Sequence, residues 1–318
     1  EPLASSPELA LSPEMSAEAS SPRELGTPRS PSGAPPLPPD GEATRARRLA
    51  NESGELLDLT DGQQRVSLPW SRESSRMHVP SREHHVMDEP YCNQFKVRGP
   101  SYLHDHVKMT STFHAMRLLG GDMVLADALI ERPSEGIARR KLESLHKDHG
   151  DDIFLINWQL PGKPGHLSFF MWLGLSQAAR EDNPSARAFL QLWKDFLSSE
   201  DDDFRKRRLK LMVLIPEGPY LLRKAVPGNK PVILSGKGID IKYTRGRGFI
   251  EASVNIASSM AASLMWVNVQ SMTRGLVVDL ALIIEATEEN QLPEQVLATV
   301  RFQKVDLTHP ASRVDVTH

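Results

Sequence analysis

The densest group of metal-capable side chains is His146, Asp148, His149, Asp151 and Asp152, and His104 and His106 form a second pair that shares one face of an extended segment. A zinc-type centre needs a closed set of three or four ligands at a recognisable spacing. Neither group supplies one, so solvated polar residues are the simpler reading and no metal is expected. Covalent chemistry fares no better. There is no G-x-S-x-G elbow for a serine nucleophile. There is no phosphate-binding P-loop, and no G-x-G-x-x-G follows a strand; Arg245-Gly246-Arg247-Gly248 reads as a charged turn. No catalytic residue and no cofactor are assigned. A hydrolase or acyltransferase would require a pocket that pairs His166 with a serine and a carboxylate.

Isolated charges are more informative. Asp279 stands inside an apolar strand pattern, where a carboxylate must be paired or hydrogen-bonded. Arg245, Arg247 or Lys242 on a neighbouring strand are the expected partners, and Glu251 and Glu285 are carboxylates of the same kind. Two readings follow: a structural ion pair at the edge of a sheet, or a contact to a ligand headgroup. Glu217, in Pro-Glu-Gly-Pro, fixes a turn through backbone N–H groups or faces a pocket. Arg98 and Lys108 are either solvated or placed to receive an anionic headgroup. The aromatic residues Trp158, Phe170, Trp172 and Trp266 are candidates for the core, or for the lining of an acyl-chain pocket.

These residues hang on a unit that runs from Lys242 to Asp306. Ile250, Ala252, Val254 and Ile256 alternate with Glu251, Ser253 and Asn255, which predicts a half-buried strand. Ser258 and Ser259 then cap a helix whose apolar residues cover nearly its whole circumference up to Arg274, the pattern of a buried helix. Gly275 ends it, a strand covers 276–284, and a last strand covers 298–305. Upstream, 153–160 and 166–173 around Pro161-Gly162-Lys163-Pro164-Gly165 predict a hairpin. Asn183-Pro184 opens an amphipathic helix through Phe189, Leu192, Trp193 and Phe196. Gly120-Gly121 reads as a turn between two strands, Ser134 as the cap of a helix to His149, and the charged run 200–210 as a solvated loop. Many strands are joined by tight turns, which demand antiparallel pairing. The expected fold is therefore α+β, with one curved, mainly antiparallel sheet wrapped around a buried helix in the helix-grip, START-like manner.

The first ninety residues are different material. Ten prolines precede Asp40 and no aromatic residue precedes Trp70, so residues 1–90 are expected to form a disordered Pro/Ser-rich tail and linker, with order from Tyr91. Ser6-Pro7, Ser12-Pro13, Ser21-Pro22, Thr27-Pro28 and Ser30-Pro31 suit proline-directed phosphorylation, or arise from composition alone. Arg45, Arg47 and Arg48 form a small basic cluster, and Leu56, Leu57 and Leu59 a short docking peptide or nothing. The chain starts at Glu1 instead of Met and is expected to be a processed or truncated product. Its net charge of −3 argues against a nucleic-acid partner. Its single cysteine, Cys92, fits a reducing, cytoplasmic compartment. The longest apolar stretch, 260–284, would submerge Asn268, Gln270, Arg274 and Asp279 if it crossed a membrane.

Six blocks carry a family resemblance: FKVRGPSYLHDHVK at 95–108, FLINWQLPG at 154–162, LKLMVLIPEGPYLLRKAV at 209–226, YTRGRGFIEASVNIASSMAASL at 243–264, LVVDLALIIEA at 276–286 and LPEQVLATVRFQKVD at 292–306. In order and content they resemble the C-terminal domain of the enhanced disease resistance protein family, a domain of unknown function in plants and protists. Tyr220 stands where that family usually has Trp, and Ala252, Ser253 and Asn255 where it favours acids, so a cation or donor site built on those acids is partly lost here. The resemblance implies a non-enzymatic module that accompanies lipid-binding modules and is linked to membrane lipids. On that basis a lipid-associating regulatory module over residues 91–318, attached peripherally to membranes, is expected, for lipid sensing or transfer. The alternative is a protein–protein interaction module that uses the sheet face or the tail. The oligomeric state is left open.

Overall fold

A computed structural model describes residues 64–67, 70–71 and 87–305, except 163, 164 and 227. All of them belong to the unit 49–318. The Ser-Pro sites, the Arg45–Arg48 cluster and the Leu56–Leu59 segment lie outside the described residues.

The fold is α+β with mostly antiparallel sheets. The first sheet has six strands in the order β1 (Gln64–Ser67), β6 (Met116–Ala126), β8 (His166–Leu175), β7 (Ile153–Pro161), β12 (Phe249–Asn255) and β11 (Asp240–Gly246). Only β7 and β12 run parallel. The second sheet, also six-stranded, has the order β10 (Val232–Ile233), β9 (Leu209–Glu217), β13 (Val277–Ile284), β14 (Ala298–Gln303), β3 (Met87–Asp88) and β2 (Trp70–Ser71). A two-stranded ribbon, β4 (Lys96–Arg98) with β5 (Lys108–Thr110), follows the same antiparallel rule. Two sheets thus replace the single expected one. Strands before Tyr91 also complete sheet edges, which moves the start of ordered structure upstream. An edge strand is held by backbone hydrogen bonds, and these are indifferent to the scarcity of aromatic residues in this stretch.

The inner faces of both sheets share one core. Phe154, Ile156, Phe169, Met171, Ile250 and Val254 come from the first sheet, and Leu282, Ile284 and Val300 from the second. Helix α3 (Pro184–Ser198) joins them through Phe189, Leu192, Trp193 and Phe196. Its start is chemical: Asn183 Oδ1 accepts the Ala186 N–H at 2.9 Å beside Pro184. Trp193 stacks on Phe196 with ring centroids 6.0 Å apart. The outer face of the first sheet is covered by helix α2 (Arg139–His149), where Leu142 and Leu145 meet Leu155, Phe170 and Trp172. Phe95, Val97 and Val296 cover Met212, Ala281 and Ile283 on the outer face of the second.

Helix α6 (Met260–Gln270) corrects the central expectation. Ser259 caps it, accepting the Ala262 N–H at 3.4 Å, but none of its residues is buried. Met260 is 81 % exposed, Met265 63 %, Leu264 62 % and Val267 46 %. Apolar composition all round predicts burial only if another element is left to cover the helix. Here α3 already fills the core, and α6 lies outside it. Two further corrections concern backbone geometry and charge. Gly120-Gly121 is not a turn; it sits inside the continuous strand β6, at a register shift between Leu118 and Gly120. The charged run 200–210 is not a loop; Asp202–Arg208 form helix α4, capped by Asp201, which accepts the Asp203 N–H at 2.8 Å. The strand 249–255 is buried on both faces, with Glu251 and Ser253 under the segment that precedes α2.

Candidate functional site

The aromatic candidates do not converge. Trp158 faces the shared core, whereas Phe170 and Trp172 point to the opposite face of the same sheet. Successive residues of a strand alternate sides and cross-strand partners share one, and β7 and β8 place Trp158 opposite Phe169 and Leu155 opposite Trp172. One pocket therefore cannot be lined by all three. The Trp172 indole N–H donates to Asp122 Oδ2 at 2.8 Å, and Lys141 Nζ lies 2.8 Å from the same oxygen. Trp266, on α6, donates to the Pro161 carbonyl at 2.9 Å and packs beside Met123, Leu167 and Val305.

The charged candidates are dispersed as well. Asp279 is fully buried and paired, but with Arg301 directly opposite on β14, not with Arg245, Arg247 or Lys242. Gln94 Nε2 donates a further hydrogen bond to Asp279 Oδ2 at 3.3 Å. This is the structural ion pair, and the headgroup reading falls away because every carboxylate oxygen is engaged by the protein. Arg245 makes a two-pronged contact with Glu200 at 2.9 and 3.2 Å on the surface, and Lys242 pairs with Glu131 at 2.7 Å. Glu217 ends β9, exposed, 3.9 Å from Lys304. His146 lies 3.5 Å from Asp151, and His149 contacts Arg117. Among the described residues no three His, Cys, Asp or Glu side chains converge, and no helix is long and apolar enough to cross a membrane.

Composition alone gave no hint of the polar layer on the outer face of the first sheet. Asn157 Nδ2 donates to the Ile130 carbonyl at 2.7 Å and to Ser253 Oγ at 2.9 Å; Gln159 Nε2 donates to the same carbonyl at 2.7 Å. Glu251 accepts the Ser134 N–H at 2.9 Å, and burial pushes its carboxyl above the usual range. These bonds tie residues 130–134 onto the sheet.

Two surface features remain. The first is α6, eleven residues without a charge. A short second helix, α5 (Tyr220–Ala225), follows Gly218, and a Cβ there would lie 2.5 Å from Leu276, just past the end of α6. On α5, Tyr220 and Leu221 are exposed next to Arg223 and Lys224. The second feature is a pocket of about 280 Å³ between the β4–β5 ribbon and β9–β10. Lys96, Arg98, Lys108, Lys210 and Lys230 line it, with Glu294 as its one acid. Arg98 and Lys108 were visible in the sequence as possible headgroup contacts; Lys96 stands two residues before Arg98 on β4, and Lys210 and Lys230 arrive from distant segments.

The fold thus sets two sheets beside an outward apolar helix and a basic pocket. Residues 88–306 match the family described as Protein ENHANCED DISEASE RESISTANCE 2, C-terminal, and the chain belongs to that family. It is 31 % identical over 218 residues to an Arabidopsis thaliana protein named Protein ENHANCED DISEASE RESISTANCE 2-like, an alignment that covers 68 % of this chain and 28 % of that relative. The chain therefore spans under a third of the length of the curated relative it matches. No solved structure matches.

Proposed function

We propose that this domain is a non-enzymatic regulatory module that associates peripherally with membrane lipids through α6. The observation that carries the reading is the exposure of an uncharged apolar helix on more than one of its faces. A protein groove usually takes a single apolar stripe; immersion at a lipid interface accepts a broader one. Exposed Tyr220 and Leu221 beside basic Arg223 and Lys224 add the composition expected at an anionic bilayer surface. Burying Met260, Leu264, Met265 and Val267 from their present exposure contributes roughly 5 kcal/mol, which alone gives a weak, reversible contact. The surface contact takes the place of the internal acyl cavity that a helix-grip fold would provide. The cytoplasmic face of a membrane is the proposed location. A second reading, a protein partner that adds a strand beside β10, draws on the exposure of Val232 and Ile233 on that edge strand.

Flotation with phosphatidylcholine–phosphatidylserine vesicles tests the proposal. The chain should float with the lipid and the Leu264→Glu/Met265→Glu variant should not, while both keep the same circular dichroism. A wild-type chain that stays in the dense fraction, or a variant that floats equally, overturns it.

A further inference from the structure

The pocket between the ribbon and β9–β10 combines a half-buried, paired floor with an exposed basic rim. Its floor is neutralised from within. Arg98 pairs with Glu285 and lies 3.7 Å from Glu294, and Lys210 Nζ lies 2.6 Å from Glu285. Its rim is not. Among the described residues, Lys96, Lys108 and Lys230 have no carboxylate within 4.0 Å. The register of the ribbon sets Lys108 directly opposite Arg98, and like charges facing each other across a strand pair destabilise it. The ribbon thus brings Lys108 to the same face as the paired Arg98, beside the pocket. Burial also pushes the Glu294 carboxyl above the usual carboxylate range, which weakens the one acid in the lining.

We infer that this pocket binds a phosphomonoester carried on a polyol or sugar-sized group. Three ammonium groups without acids suit a compact dianion, and lysine engages phosphate as a point charge with three donors. The volume of about 280 Å³ is at the small end of ligand sites and has room for more than a bare ion. Tyr102, with the Arg98 guanidinium over its ring at 4.8 Å from the centre, borders the pocket and holds that arginine in place. The phosphomonoester has two possible sources, a lipid headgroup or a soluble metabolite. The headgroup source rests on the membrane reading above; the soluble source does not.

Isothermal titration of the full chain with inositol 1,4,5-trisphosphate and with glucose 6-phosphate tests the soluble arm. Flotation on phosphatidylcholine vesicles with or without phosphatidic acid tests the lipid arm. Saturable binding in either arm, weakened at least tenfold in Lys96→Glu/Lys108→Glu and retained in Lys108→Arg, is the expected result. Lys230→Glu, on a separate segment, should weaken it as well, and it decides the matter if the double variant fails to fold. The Leu264→Glu/Met265→Glu variant should keep soluble binding, so the two proposals fail separately. No binding in either arm, or binding indifferent to these charge reversals, overturns the inference.

Discussion

Asp279 and Arg301 face each other across β13 and β14, joined by two parallel hydrogen bonds of 2.6 and 2.7 Å. The carboxylate is fully buried and the guanidinium 30 % exposed. Removing one member strands the other inside the sheet, which costs more than the pair is worth as a unit. Asp279→Asn is expected to lower stability by about 2 kcal/mol, the usual cost reduced because Arg301 reaches solvent. Asp279→Asn/Arg301→Met should recover part of that loss. Urea unfolding of the single and double variants measures both numbers.

Arg205 is the buried cation of α4. Its Nε donates to the Phe196 carbonyl at 2.8 Å and its Nη2 to that of Leu197 at 2.9 Å, so it closes the C-terminal turn of α3 from outside. Asp202 balances its charge at 2.8 Å. Arg205→Met leaves those carbonyls and Asp202 without their donor and should cost about 3 kcal/mol. Arg205→Lys should recover less than half of it, because one ammonium cannot span the same set. Thermal melts of the two variants check the order.

Gly121 packs where a Cβ would lie 2.9 Å from both Met87 and Phe169. Gly121→Ala should therefore destabilise by about 1–3 kcal/mol through overpacking. Met87→Ala in the same background should remove part of the clash, and chemical denaturation would show that coupling directly.

His114 is the pH-sensitive group of the core. Its Nε2 lies 3.1 Å from the Pro90 carbonyl and 2.8 Å from Thr299 Oγ1. Burial holds its pKa down at about 4, from an ordinary 6.5. Between those values the unfolded chain binds the proton and the folded one does not, so stability falls as pH drops from about 6.5 to about 4. His114→Gln should flatten that slope. Glu251 and Glu294, raised by burial, slope the other way, and the difference between wild type and variant isolates the histidine. Unfolding free energies measured at stepped pH values give the comparison.

Local signals in the chain were read well and distant ones poorly. The 153–175 hairpin, the Asn183 cap and the Ser259 cap each depend on neighbours a few residues away, and each stands in the structure. The chain alone does not say what covers an apolar helix; the pattern of α6 fits burial, yet α3 occupies the core. Charge pairing is also a tertiary matter. Asp279 announced that it needed a partner, but only the β13–β14 register selects Arg301. Arg205 sat among so many charges that its burial left no trace in the local pattern. The basic pocket gathers Lys96, Arg98 and Lys108 from one short segment with Lys210 and Lys230 from far along the chain, and only the fold brings the two groups together.

The central claim is that α6 meets the lipid. Hydrogen–deuterium exchange of the full chain, with and without phosphatidylcholine–phosphatidylserine vesicles, examines it most directly. Peptides covering 259–272 should exchange more slowly when vesicles are present, while those of the buried strands β7 and β8 stay unchanged. Unaltered exchange across 259–272 in the presence of vesicles, or protection confined to other segments, would contradict the account.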